Sequence, residues 1–462
     1  MLRNIFIASA EEIYLEQLQV VGYVLGLAAV CSRWRAIALT YRPLWRYIDI
    51  YRPRLASLFL NRLGPSSRVI YVSSGTHRSP PFDFTMVSHC ADRVEAIDLS
   101  VTLGEMRAFI HHTDLHLDSI SDLRLRITSS IESPLHITLP LSSVSHLSLE
   151  GVTANWGALW NLTHLHLCQI HGRFSPSLAD LRSILRLSTS LHTLVLDRVS
   201  LSLSEIVFYE YRRHLRLLRV DLHPWCAKRI ISGIRLPLDA LLDVRARADD
   251  LEEIFVESEH RHLSTPRHTM LFLGPRKIVL GRSGSEAFSE HGARMVIRLT
   301  ANMNVRVLEP ISKIFMFNNI KTLDMHFMHP DRKDLAETIW IFRGFFNRLH
   351  SLATLRVSQA LAGIIVPILG ELSTDDEVIC PKLWWLSLGD PDQLWWGFPT
   401  APSGSLDGGW LEPIVEGLRE RCRYQAMGVV EFLGRGRIEF GYAHMRLGDF
   451  VGRLENKLSP FA

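Results

Sequence analysis

The sequence predicts an α/β protein in which a small helical segment precedes an irregular α/β solenoid. Two observations favour this fold class. Residues 1–50 carry apolar side chains at helical spacing, and the chain beyond residue 91 repeats one short apolar pattern nine times. At 462 residues the chain also exceeds one ordinary globular domain, so a bipartite or repeated architecture is expected.

The composition favours a protein with a large apolar core and no general affinity for nucleic acid. Hydrophobic residues make up 47% of the chain and charged residues 21%, and the net charge is only +3. Residues 31–70 differ, because eight arginines stand there against one acidic residue, Asp49. This local excess predicts either a solvated basic face or a surface that is complementary to an acidic partner.

Cysteine usage and hydropathy indicate the compartment. None of the six cysteines has a C-x-x-C neighbour, which favours reduced thiols over a disulfide framework. The longest apolar run, residues 20–31, is too short to span a bilayer, and no signal peptide is visible at the N-terminus. We therefore expect a cytoplasmic or nuclear protein that has no membrane partner.

Two helices are predicted near the N-terminus. Leu2, Ile5 and Phe6 mark the apolar face of the first helix. Val30, Trp34 and Ile37 lie three and four residues apart, so they predict one face of a second helix, which ends before the next proline. On spacing alone, this second helix could equally be an ordinary amphipathic helix packed on its own domain.

The second predicted helix and the residues after it carry a distinctive sequence. Residues 30–39 read Val-Cys-Ser-Arg-Trp-Arg-Ala-Ile-Ala-Leu, and residues 43–45 read Pro-Leu-Trp. This sequence resembles the second half of an F-box, the motif that binds the Skp-family adaptor of a cullin–RING ubiquitin ligase. The family's Leu-Pro-x-Glu signature is absent, so the resemblance implies an N-terminally incomplete, F-box-like helical domain over residues 1–54. The adaptor-binding residues that it implies are Leu2, Ile5, Val30, Trp34, Ile37, Leu44 and Trp45.

Residues 55–90 are predicted to connect this box to the repeats through a helix and a strand. Leucines between 55 and 60 indicate the helix, and Gly-Pro at 64–65 breaks it. Alternating apolar residues at 69–71 then indicate the strand.

The repeated pattern is apolar-x-x-apolar-x-apolar, which places its last two side chains on one face of a short strand. The last positions of the first six copies lie 18 to 29 residues apart, close to the period of leucine-rich repeats. The copies predict a divergent leucine-rich repeat domain over residues 91–400, and an α/β domain with several buried strands is the alternative. The nine copies begin at Val94, Ile120, Val144, Leu162, Leu191, Leu215, Ile320, Leu352 and Leu383.

This repeat interpretation makes a specific prediction about strand pairing. The last anchors of the first six copies should lie on neighbouring parallel strands and face one core. These anchors are Leu99, Leu125, Leu149, Leu167, Leu196 and Val220.

The residue between the last two anchors of each copy should point to the opposite, exposed face of its strand. In a leucine-rich repeat protein this row lines a partner-binding surface, so we predict target-binding residues there. The alternative is a solvated face without a ligand. The predicted target-binding residues are Arg124, Ser148, His166, Arg219, Asp324 and Arg356.

The pattern fades between residues 223 and 310. Degenerate copies at 242–244 and 278–280 and helices at 246–259 and 291–300 are predicted there.

The C-terminal part returns to regular patterns. A helix is predicted at 338–349, between two repeats. Residues 401–462 are predicted to cap the repeats with a helix at 411–421, a strand over 429–440 and a final helix.

No motif that carries catalysis or binds a metal is recognised. His111, His112 and His116 lack the Cys, Asp or Glu partners of a metal site, and so do the two histidines at 164 and 166. The sequence has no phosphate loop, dinucleotide fingerprint, nucleophile elbow or zinc-protease helix. We therefore expect no metal, no cofactor and no enzymatic activity.

The leading hypothesis is a substrate-recognition subunit of a cullin–RING (SCF-type) ubiquitin ligase. Its F-box would dock on the Skp-family adaptor, and its repeats would bind an unknown target protein and hold it near a charged conjugating enzyme. A second hypothesis is a leucine-rich repeat interaction scaffold whose degenerate F-box does not assemble into a ligase. A third, an enzyme on an α/β scaffold, requires a pocket with strongly perturbed titratable groups.

Overall fold

The computed structural model describes residues 1–15, 20–64, 67–72, 91–112, 119–128, 134–138, 141–172, 174–202, 210–237, 239–255, 269–281, 293–315, 317–326, 335–372, 378–388, 411–424, 429–432 and 436–439. These residues form a mixed α/β structure with a large, mostly parallel sheet. The chain divides into two compact units, Met1–His223 with Gly233–Leu238, and Pro224–Ser232 with Asp239–Ala462. The division falls inside the predicted repeat region, residues 91–400.

The first unit opens with helices and two short strands. The predicted helix, break and strand over residues 55–71 are confirmed, and the helix ends at Gly64, whose φ of 83° favours glycine. In chain order the elements are α1 (Leu2–Leu15), α2 (Val20–Val30), α3 (Ser32–Thr40), a 3₁₀ turn (Arg42–Arg46), β1 (Tyr47–Asp49), α4 (Pro53–Leu63) and β2 (Val69–Val72).

The rest of the first unit alternates strands with helices or turns. Strands β1, β2, β3, β4, β6, β8, β9 and β11 lie side by side in that order, each parallel to the next. The bounds are β3 (Val94–Val101), α5 (Leu103–His112), β4 (Asp122–Ile127), β5 (Leu135–His136), β6 (His146–Glu150), β7 (Val152–Thr153), β8 (His164–Cys168), α6 (Leu178–Leu187), β9 (Thr193–Asp197), β10 (Glu210–Tyr211), β11 (Leu217–Asp221) and β12 (Ile234–Arg235).

The predicted pairing of the repeat anchors is confirmed. Each anchor from Leu99 to Val220 is the direct register partner of the next one along the sheet. All of them are buried, because alternate side chains of each strand point into the core.

Hydroxyl side chains tie consecutive strands together at their amino ends. Ser145 Oγ donates to the Ser121 carbonyl at 3.1 Å, and Thr163 Oγ1 donates to the Ser145 carbonyl at 3.0 Å. The same carbonyls also accept backbone amides from the next strand, so each repeat satisfies the polar groups of its neighbour. These serine and threonine contacts were not predicted from the sequence.

The carboxyl ends of three consecutive strands share one turn geometry. Gly151, Gln169 and Arg198 each follow a strand with φ between 52° and 67°. The amide of each donates to the last carbonyl of the next strand, at 3.0, 2.9 and 2.6 Å. A left-handed residue at the same place in three copies shows that these turns are structurally equivalent.

The second unit contains nine strands and six α-helices among its described residues. They are α7 (Pro224–Gly233), β13 (Leu241–Ala246), α8 (Leu251–Ile254), β14 (Met270–Gly274), β15 (Lys277–Gly281), β16 (Ala293–Leu299), α9 (Leu308–Ile314), β17 (Thr322–Met325), α10 (Leu335–Phe346), β18 (Thr354–Val357), α11 (Gln359–Gly370), β19 (Trp385–Leu388), α12 (Leu411–Tyr424), β20 (Val429–Phe432) and β21 (Gly436–Glu439).

The second unit departs from the sequence prediction where the repeat pattern fades. Strands β14, β15 and β16 form an antiparallel meander, so the predicted copy at 278–280 lies on an antiparallel strand. Residues 293–299 form strand β16 rather than the predicted helix at 291–300. Of the helix predicted over 246–259, the structure describes residues up to 255, and among these Leu251–Ile254 are helical. On one side, β17 pairs in parallel with β14, and Leu271 is the register partner of Leu323.

Parallel pairing resumes after the meander. Strands β14, β17, β18, β19 and β20 are parallel in that order, and β21 returns antiparallel to β20. The predicted helices at 338–349 and 411–421 are confirmed as α10 and α12. The strand predicted over 429–440 is split into β20 and β21, and the final predicted helix lies outside the described residues.

Candidate interaction surfaces

The F-box-like sequence folds as two helices rather than one. Cys31 adopts an extended backbone, with φ −155° and ψ 171°, and its Sγ accepts the Trp34 amide at 3.5 Å. Val30 therefore ends α2, while Trp34 and Ile37 belong to α3. The prediction that these three residues share one helical face was wrong, because spacing alone does not reveal a helix cap.

Helices α1 and α3 meet through aromatic contacts. The Phe6 and Trp34 rings lie 4.8 Å apart, and the Arg3 guanidinium lies 5.9 Å from the Tyr41 ring centre. These contacts bring the start of α1 next to α3.

Five of the seven predicted adaptor-binding side chains keep exposed area. Ile5 is 45% exposed and Val30 61% exposed. Leu2, Trp34 and Ile37 are partly buried. We call Leu2, Ile5, Val30, Trp34 and Ile37 the N-terminal apolar surface.

The other two predicted adaptor-binding residues lie beneath this surface. Leu44 is fully buried, and Trp45 is 2% exposed. Trp45 Nε1 donates to the Ala38 carbonyl at 2.8 Å, and its ring packs edge-on against Phe59 at 4.7 Å. In this structure both residues support α3 and α4 from inside, so neither is available for direct contact with a partner.

Exposed arginines lie on α3 and on the turn that follows it. Arg33, Arg35 and Arg42 are exposed, and Arg35 Nε also donates to the Ala28 carbonyl at 2.9 Å. Glu11 forms a 3.0 Å ion pair with Arg46, so that arginine does not add to the excess of free positive charge. The local basic excess in the sequence therefore reaches the surface beside exposed apolar groups.

The predicted target-binding row of the first unit is in register but unequally exposed. Asp98, Arg124, Ser148, His166, Val195 and Arg219 are consecutive register partners. Arg219 is exposed, Val195 is buried, and the rest are intermediate.

Helix α1 covers Arg124, one of the predicted target-binding residues. The Arg124 guanidinium lies 4.9 Å from the ring centre of Tyr14, which is only 7% exposed. Arg124 also pairs with Asp122 at 2.9 Å and with Asp98 at 3.8 Å. Burial, followed by the negative charge of Asp122, raises the pKa of the Tyr14 phenol. Arg124 therefore joins α1 to the sheet, and the prediction that it is exposed was wrong.

Ser148 and His166 form a polar pair farther along the row. Ser148 Oγ lies 3.3 Å from His166 Nδ1. Burial lowers the pKa of His166, and the carboxylates of Asp197 and Glu150 oppose this effect. Arg219, on β11, completes the exposed part of the row.

The second unit buries much of its predicted row. Asp324 is 3% exposed, contacts the ring of His326 and lies 3.8 Å from Arg356 Nη1. Its register partner along the row, Arg356, is partly exposed, and Ser387 beyond it is fully buried. Asp324 was predicted to be exposed; it is instead buried between the His326 ring and the Arg356 guanidinium.

Four histidines line up at the amino ends of consecutive strands, a feature that the sequence analysis missed. His146 and His164 begin β6 and β8, and their rings stack at 4.3 Å with a 14° angle. His164 and His192 follow at 6.2 Å, and His192 and His214 at 6.1 Å. We call these four residues the histidine ladder. Each lies one or two residues before a leucine of its repeat, and that recurrence is the signal that could have revealed the ladder.

Metal chemistry finds no support among the described residues. No group of three or more His, Cys, Asp or Glu side chains there is arranged to hold a metal ion. Cys31, Cys168, Cys226 and Cys380 are free thiols, and burial raises the pKa of Cys168 and of Cys380 to about 12.

Comparisons with known proteins add no assignment. No protein-family model matches the chain, and no curated protein sequence matches it. Among the described residues, no helix is both long and apolar enough to cross a membrane. The fold and its surfaces thus define a mixed α/β protein whose first unit carries an exposed apolar surface and a polar strand face.

Proposed function

We propose that this chain is a substrate-recognition subunit of a cullin–RING (SCF-type) ubiquitin ligase in the cytoplasm or nucleus. The N-terminal apolar surface docks on a Skp-family adaptor, and the polar strand face of the first unit holds a target protein. The chain itself performs no covalent step and acts by bringing the target close to the conjugating enzyme.

The strands of the first unit support a divergent leucine-rich repeat solenoid. Their anchors pair in register, their amino ends share serine and threonine contacts, and three of their carboxyl ends share a left-handed turn. Repeated local solutions of this kind are expected when each repeat contacts mainly its neighbours.

The exposure of Ile5 and Val30 is the observation that carries the adaptor proposal. Both lie where the F-box resemblance implies contact, and both are far more exposed than apolar residues of a closed core. The exposed arginines beside them suit a partner that carries acidic residues around an apolar groove.

The second candidate is an interaction scaffold that does not join a ligase. The internal positions of Leu44 and Trp45 favour it, because two of the implied contact residues are used to hold the helices together. The polar strand face has the same role in both proposals.

Titration of the full chain with a purified Skp-family adaptor tests the proposal. Ile5→Arg places a charge on an exposed side chain of the N-terminal apolar surface, so affinity should fall at least roughly thirtyfold, equivalent to about 2 kcal/mol. Leu58→Arg is the matched control, because Leu58 is 41% exposed on α4, outside the predicted contact set. The control should bind the adaptor like the original chain.

Two results would contradict the proposal in different ways. If the original chain shows no binding at about 100 μM adaptor, the ligase assignment fails and the scaffold proposal stands. If Ile5→Arg and the original chain bind equally well, the adaptor docks elsewhere and the N-terminal apolar surface has been assigned wrongly.

A further inference from the structure

The histidine ladder is a row of titratable groups with little compensating negative charge. Three of its members are partly buried, and the fourth, His214, is exposed. The Asp122 carboxylate opposes the lowering of the His146 pKa at one end, but it is paired with Arg124 at 2.9 Å. At the other end Arg213 and Arg216 are exposed, and Arg213 Nε donates to His214 Nε2 at 2.8 Å.

Burial disfavours the charged form of the two rings at the buried end. Ser145 Oγ lies 2.9 Å from His146 Nδ1, and Thr163 Oγ1 lies 3.0 Å from His164 Nδ1. Burial lowers the pKa of His146, and burial followed by the proximity of His146 and His192 lowers the pKa of His164 to about 4. Two stacked imidazolium ions would repel each other, so protonation requires an anion supplied from outside.

The spacing of His164, His192 and His214 suits side chains of an extended peptide. Alternate residues of a β-strand point to the same side and lie about 6.8 Å apart. The ring centres from His164 to His214 are 6.2 and 6.1 Å apart, close to that distance. An acidic side chain at every second position could therefore approach successive rings.

We propose that the histidine ladder binds an extended acidic segment of the target protein and takes up protons as it does so. The carboxylates of the segment supply the counter-charge that Asp122 cannot, because Arg124 already neutralises it. Arg213 and Arg216 add fixed positive charge at the exposed end. This proposal rests on the target-binding role proposed above and assigns a chemical class to the target.

Binding of a fluorescent hexaglutamate peptide to the full chain tests the proposal. Because binding takes up protons, affinity should rise about tenfold per pH unit for each proton as the pH falls from about 7.5 to 6. Calorimetry in two buffers of different ionisation enthalpy should report the same proton uptake. Hexalysine should not bind.

Single substitutions locate the site on the ladder. His164→Gln and His192→Gln keep a polar side chain but remove one ring of the ladder, so each should weaken the pH dependence. His171→Gln is the matched control, because His171 is exposed and contacts Ser200 rather than the ladder. Arg216→Gln should weaken binding at both pH values, and because Arg216 is exposed this test avoids altering the packed rings.

The outcomes separate this proposal from the ligase assignment. Absence of peptide binding, equal affinity at both pH values, or ladder variants that bind like the original chain would overturn it. Adaptor titration of the same variants should be unchanged, because the ladder lies outside the N-terminal apolar surface. Peptide binding without adaptor binding would support the site for an acidic segment and contradict the ligase assignment.

Discussion

Gly417 permits the close approach of α11 and α12, and adding a single methyl group there tests how tightly the second unit is packed. A Cβ on Gly417 would lie 2.7 Å from the backbone nitrogen of Pro367 and from the carbonyl oxygen of Val366. These are backbone atoms, so no side-chain rotation can relieve the overlap. A Cβ added at Gly370, on α11, would likewise lie 2.6 Å from the carbonyl oxygen of Gly417.

Gly417→Ala should destabilise the second unit. Overpacking of this kind typically costs about 1–3 kcal/mol. For a unit of this size that corresponds to a fall in Tm of roughly 2–12 °C. Differential scanning calorimetry on the full chain would show it in one transition, while the transition of the first unit stays in place.

Gly344→Ala is the matched control, and it should stabilise the second unit rather than destabilise it. Gly344 lies in α10, and a Cβ there would meet no atom within 4 Å. The same methyl should therefore stabilise the helix by roughly 0.5–1 kcal/mol. If Gly417→Ala is neutral or stabilising, the close approach of α11 and α12 does not exist in solution.

Three further changes test the first unit. Trp45→Ala removes a buried ring and the bond to the Ala38 carbonyl, so it should cost roughly 3–5 kcal/mol in urea unfolding. Ser177→Ala removes a capping box with Asp180 from α6 and should cost about 1 kcal/mol in the same assay. The pKa of His164 is lower in the folded chain than in the unfolded chain, so the unfolded chain binds this proton more tightly. The free energy of unfolding should therefore fall as the pH drops from 6.5 to about 4, and it should fall less in His164→Gln. An unfolding midpoint with identical pH dependence in both chains would refute this last expectation.

Burial of the repeat anchors could be predicted because it depends on local alternation. All three anchors of each of the nine copies are buried, including the divergent copy that begins at Leu383. A strand that carries an apolar residue at every second position has one stable orientation, with its apolar side chains in the core and the others towards water. The sequence also contains the information for the break at Gly64, since glycine is favoured at positive φ.

Features that join distant parts of the chain could not be predicted in this way. Arg124 and Tyr14 lie far apart in sequence, so alternation on β4 could not show that α1 covers Arg124. The meander of β14 to β16 could not be predicted either, because strand direction is set by non-local pairing. The histidine ladder needs the register of β6, β8 and β9, which the uneven repeat spacing conceals.

Helix α1 takes part in both proposed surfaces, and this has a mechanical consequence. Ile5 near its start is exposed for a partner, while Tyr14 near its end packs on Arg124 and lies 5.6 Å from the Tyr47 ring. Nine residues of helix separate them, a rise of about 14 Å. A helix fixed to the sheet at one end cannot swing freely at the other, so an adaptor bound at Ile5 would hold the strand face in a defined orientation. A substrate receptor that works by proximity needs such rigidity, because the gain in effective concentration depends on restricted geometry.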